Sequence, residues 1–160
     1  MPLERRLKDF LRRAERLVVM LIGNEMRGDD GAALTLRDLP RGERVVVIDC
    51  GPVPENFTGV VRRLKPTHVL LVDAVDFGGE NGEIEIFDPH QLVMPSFSSH
   101  RMSLRLLSRY LESEVGARVI LLGIQPKSLE LGEGLSPEVK LSVDVLRNLL
   151  IKVFEEVGLL

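Results

Sequence analysis

The chain has 160 residues, 44% of them hydrophobic and 28% charged, with a net charge of −3 and one cysteine, Cys50. Disordered, collagen-like and fibrous classes are excluded by that balance, and one cysteine builds neither an internal disulfide framework nor a cysteine-based zinc cluster. An acidic chain with six Phe, one Tyr and no Trp also lacks the basic excess and stacking platforms of a nucleic-acid binder, and it has no run of ~18 apolar residues to cross a membrane.

In chain order, residues 1–16 read as an amphipathic helix. Leu3, Leu7, Phe10, Leu11 and Ala14 form one apolar stripe, and six basic residues stand against three acidic ones around it. Residues 17–22 are continuously apolar and end in Gly23-Asn24, the pattern of a strand buried on both faces. Similar runs follow at 45–48, 69–72 and 119–122. Residues 83–87 alternate, as a half-exposed edge strand does. Helical patterns occupy 30–39, 55–64 and 102–115. A further helix starts at Ser136-Pro137, an N-cap with proline behind it, and shows a core stripe of Val139, Val143, Leu146, Leu150, Val153 and Val157. Buried strands alternating with helices predict one three-layer α/β/α domain over 1–160. Its five-stranded sheet should be mainly parallel, with the fourth strand an antiparallel edge.

Ligands of open α/β sheets bind beyond the carboxyl ends of the strands, so the residues after each strand are the candidates. Strand one leads to Gly23-Asn24, Arg27-Gly28-Asp29-Asp30-Gly31, strand two to Asp49 and Gly51, and strand three to Asp73 and Asp76. The loop after strand four carries Ser98-Ser99-His100, and strand five leads to Gln125-Pro126. Each has an ordinary explanation. Asp29 or Asp30 could cap a helix, Asp49 and Asp73 could hold turn amides, and His100 could flank its helix, while His68 and His90 look more ordinary still. Together they offer hard oxygen ligands and an imidazole, a set compatible with nickel, zinc or manganese. G-x-G-x-x-G, the P-loop and G-x-S-x-G are absent. Cys50 follows a carboxylate that would raise its pKa, so it reads as a structural thiol.

Gly23-Asn24, Arg27-Gly28-Asp29-Asp30-Gly31, Val72-Asp73-Ala74, Ser99-His100 and Gly123-Ile124-Gln125-Pro126 resemble, in order and spacing, the maturation endopeptidases of nickel–iron hydrogenases. Asp29-Asp30, Glu55-Asn56-Phe57 and Gly82-Glu83-Ile84 look most like the subgroup serving formate-hydrogenlyase-type, energy-converting enzymes. The resemblance implies an aspartyl-type endopeptidase that removes a C-terminal extension from the hydrogenase large-subunit precursor after nickel insertion. It also implies that Asp30, Asp73 and His100 grip and use the nickel, which the precursor supplies, with no organic cofactor. Several relatives have Glu at the first position, so the shorter Asp30 should draw the metal toward its loop. Asp49, Gly51, Asp29 and Gln125 are counted to the substrate cleft, and residues 125–135 are long enough to form its wall. A cytoplasmic monomer with no nucleic-acid or membrane partner is expected. A nickel- and precursor-binding chaperone without catalysis, or an unrelated metal-dependent hydrolase on the same layout, are the alternatives. Relatives usually begin near strand one, so the basic helix ahead of it either packs on the domain or docks the precursor.

Overall fold

A computed structural model describes residues 2–92 and 103–160. Its centre is a five-stranded sheet of β1 (Leu17–Ile22), β2 (Val45–Gly51), β3 (His68–Ala74), β4 (Ile84–Phe87) and β5 (Arg118–Ile124), in the order β2-β1-β3-β5-β4. All neighbours run parallel except β4, which lies antiparallel on β5 at the edge. The strands outrun their apolar cores because backbone pairing continues past them. β3, for example, pairs from His68↔Arg118 through Ala74↔Ile124.

Alternate side chains of β1 serve two cores. Leu17, Val19 and Leu21 pack with α1 (Leu3–Leu11), residues 33–39 and α4 (Pro137–Glu156). Val18, Met20 and Ile22 pack with α2 (Thr58–Leu64) and α3 (Leu104–Tyr110). The crossover from β1 to β2 therefore lies on one face of the sheet and that from β2 to β3 on the other. The chain reverses its winding at β1, and the switch point falls between β1 and β3.

The amphipathic helix packs on the domain. Leu7 and Leu11 are fully buried, and Glu4 and Lys8 form ion pairs with Lys152 and Glu156 of α4. Arg6 reaches β4, donating to Ile86 O (3.0 Å) and pairing with Glu85. That cation blunts the open edge of the sheet.

Three helical expectations change in detail. Residues 30–39 form no α-helix but two 3-10 turns, Gly28–Gly31 and Ala33–Asp38. Thr35 Oγ1 and Arg37 Nε donate to carbonyls three residues back, which favours the tighter turn. The helix expected over 55–64 opens with a 3-10 turn, Pro54–Phe57, before α2. The one expected over 102–115 is α3 followed by a π-turn, Leu111–Val115, where Glu112 meets His90 (2.7 Å) and Ser108 (3.2 Å).

Candidate active site

Asp30 sits in the loop after β1, and the sequence around it is shaped by close packing. A Cβ on Gly23 would lie 2.0 Å from the Asp30 carbonyl oxygen, and one on Gly28 would lie 2.6 Å from Ser128 O. Gly28 also has φ +53°, a left-handed conformation costly for other residues. Asn24 N donates to Asp30 O (3.2 Å) and to Asp30 Oδ2 (3.1 Å), folding the loop back on itself. The Gly28–Gly31 turn rests on β3. Asp73 is the second-last residue of that neighbouring strand, paired with Gly123 of β5, and stands level with Ile22 because Leu21 pairs with Val72. Asp30 and Asp73 are both buried and flank the switch point from either side, Asp30 on the turn after β1 and Asp73 near the carboxyl end of β3.

Asp29 points the other way. Its Oδ1 accepts from Ser136 N (2.7 Å), and its Oδ2 accepts from Ser136 Oγ (2.8 Å), Lys127 N (2.9 Å) and Ser128 N (3.1 Å). Burial pushes this carboxyl up, but those donors outweigh it and hold the group below the usual carboxylate value. Ser136 is thereby diverted from its expected role, for its side chain makes no cap on α4.

Gln125 is likewise buried and fully engaged. Its Oε1 accepts from Phe77 N (2.9 Å) and Gly79 N (3.0 Å), and its Nε2 donates to Asp76 Oδ1 (3.1 Å). Asp49 behaves as a turn residue, accepting from Gly51 N (3.1 Å) while its other oxygen pairs with Arg37 (3.3 Å). Gly51 has φ +57° with open space around it. Of the 125–135 loop, Gly134 and Leu135 line a groove of about 380 Å³ together with Glu25, Gly28, Gly31 and Leu34.

His100 lies outside the described residues, as do Ser98 and Ser99. Among the described residues no three His, Cys, Asp or Glu side chains gather as a metal site. Of the other candidates, Cys50 is buried and its thiol is pushed up to about 12, by burial first and the Asp49 charge second, which makes it unreactive. In the sequence Glu55 stands out only as part of the Glu55-Asn56-Phe57 motif. It stands on the turn after β2, at the same end of the sheet, and its Oε2 is buried with no hydrogen bond among the described residues. The Pro-Glu-Asn run gives no sign of that burial.

Residues 33–153 match the family model HycI, hydrogenase maturation protease. A Methanocaldococcus jannaschii protein provisionally named a hydrogenase maturation protease is 37% identical over 164 residues, spanning 96% of each chain. That leaves fewer residues unmatched than precede β1, so the match reaches into α1. The hydrogenase 3 maturation protease of Escherichia coli is 44% identical over 114 residues, 68% of this chain and 72% of its own. The crystal structure of HycI from Thermococcus kodakarensis, a nickel–iron hydrogenase maturation protease, superposes with a TM-score of 0.85 at 33% identity, covering 93% of this chain and 98% of that one.

Proposed function

The chain belongs to the HycI family of hydrogenase maturation proteases and is a peptidase, and from that premise we propose that it removes the C-terminal extension of a nickel–iron hydrogenase large-subunit precursor once nickel is in place. One observation carries this reading. Two buried carboxylates, Asp30 and Asp73, stand at the carboxyl ends of the two adjacent strands that bound the switch point, the position where open α/β sheets take their ligands.

The nickel belongs to the substrate. Asp30, Asp73 and His100 supply two carboxylates and an imidazole, a donor set that suits nickel and leaves coordination positions open. Held by these residues, the ion would supply Lewis-acid polarisation of the scissile carbonyl. Water adds to the carbonyl carbon, Asp30 or Asp73 takes its proton, and the C–N bond breaks as the leaving amine is protonated. A precursor without nickel brings no anchor, so recognition and proofreading become one event. Asp49 and Gly51 line the cleft floor after β2, and Asp29 and Gln125 shape its loops. The enzyme works in the cytoplasm as a monomer, since an extended peptide must reach an open rim. The described residues contain no helix long and apolar enough to cross a membrane.

The test is cleavage of the precursor, nickel-loaded against nickel-free, by the wild type and by Asp30→Asn, Asp73→Asn and His100→Ala. Peptide release only from the loaded precursor, lost in all three variants, is expected. Binding without release would make the protein a chaperone, and release that ignores nickel would remove these residues from the metal grip.

A further inference from the structure

The loop bearing Asp30 and the loop that leaves β3 just after Asp73 belong to different crossovers, yet one short segment, residues 125–128, is bonded to both. On one side the Gln125 side chain gathers Phe77 N, Gly79 N and Asp76, and its backbone exchanges with Gly82 and Glu83, at 2.8 Å each. On the other side Lys127 N and Ser128 N donate to Asp29, and Ser128 O accepts from Asp29 N (2.9 Å). Asp29 is the residue next to Asp30, and its carboxylate then extends the tie to Ser136 at the start of α4. Both clamping side chains are more than nine-tenths buried, Asp29 at 0% and Gln125 at 6% exposure.

We propose that Asp29 and Gln125 are positioning residues for the proteolytic reaction, two halves of one bridge that fixes the Asp30 loop against the carboxyl end of β3, where Asp73 stands, and the loop leaving it, and so sets the gap into which the precursor's nickel must fit. The inference rests on the nickel-gripping reading above. Neither side chain touches the metal. Each acts through a loop, as the partners behind metal ligands do. Strand pairing holds Asp73, but the sheet alone would leave the Asp30 loop free to drift against it, and a shift near 1 Å at a reacting centre costs on the order of a hundredfold in rate.

The experiment measures kcat and KM on nickel-loaded and nickel-free precursor for Asp29→Asn, Gln125→Glu and the double variant, below each protein's unfolding midpoint. Each single change is expected to lower kcat/KM on the loaded precursor roughly 10–100-fold and to blunt the preference for loaded over empty substrate. The double variant should lose little more than the worse single one, because either change opens the same bridge. Ser136→Ala, which removes one donor, decides the matter where Asp29→Asn does not fold: a smaller loss, restored by Ser136→Thr, is expected. Folded variants with unchanged kcat/KM and nickel preference overturn the proposal, as do fully additive losses. Nickel-dependent cleavage surviving in Asp30→Asn and Asp73→Asn would instead defeat the reading beneath it, and the bridge with it.

Discussion

Among the described residues, the buried polar side chains at the carboxyl end of the sheet are Asp29, Asp30, Asp73 and Gln125; at the amino end the corresponding layer holds His68. The amino end is closed by Arg16, Arg44 and Thr67 bonding to backbone groups and by aromatic contacts. Phe10 of α1 lies edge-on to the His68 ring, centroids 5.0 Å apart, with the Arg118 guanidinium over its face at 5.9 Å. Buried carboxylates are costly to a fold unless well bonded. Their concentration at one end, on the turn after β1 and the last residues of β3, separates a surface built to act from one built to hold.

The sharpest way to break that contrast is to remove charge from the carboxyl end. Asp30→Asn and Asp73→Asn should each cut peptide release from nickel-loaded precursor by on the order of 10²–10⁴-fold while leaving the thermal midpoint within a few degrees. A collapse of stability in step with activity would place these residues with the scaffold. The opposite pattern is expected at the amino end. Leu7→Ala should cost about 2–5 kcal/mol in denaturant titration, and deletion of residues 1–15 should impair folding, with cleavage per folded molecule unchanged. Normal stability with lost precursor binding would make α1 a docking element.

A smaller effect follows from pH. Burial first, and the Arg118 charge second, hold the His68 pKa below its usual value of 6.5. The unfolded chain then binds the proton more readily, so the neutral ring's contribution is fully present above pH 6.5 and is lost as pH falls through the folded value. Thermal midpoints should decline from pH 7 to 5, and His68→Phe should flatten that slope; parallel slopes would assign the decline to other groups. Smallest of all, Arg6→Ala should cost no more than about 1 kcal/mol but raise aggregation on heating, since it uncovers the β4 edge.

The strands were legible because residues buried on both faces of a parallel sheet leave unbroken apolar runs, as Leu17–Ile22 does. The antiparallel edge was legible from the alternation of Ile84, Glu85 and Ile86. Residues 30–39 misled because their apolar spacing suits a helix, whereas the turn type is set by side chains bonding three residues back and by the crowding of Gly28 and Gly31. Asp30 and Asp73 could be placed at the rim by counting from strand ends. The destination of Asp29 could not, since its donors Lys127, Ser128 and Ser136 are about a hundred positions away in the chain. A side chain that bonds distant backbone amides leaves no local pattern.

The ion pairs joining α1 to α4 carry a consequence for synthesis on the ribosome. Glu4 meets Lys152, separated by 148 positions, and Lys8 meets Glu156. α1 therefore emerges long before the helix that completes its berth, and its apolar face stays uncovered through most of translation. A nascent chain halted before residue 137 lacks α4 and has no closed core on that face, which makes it a natural client for chaperones.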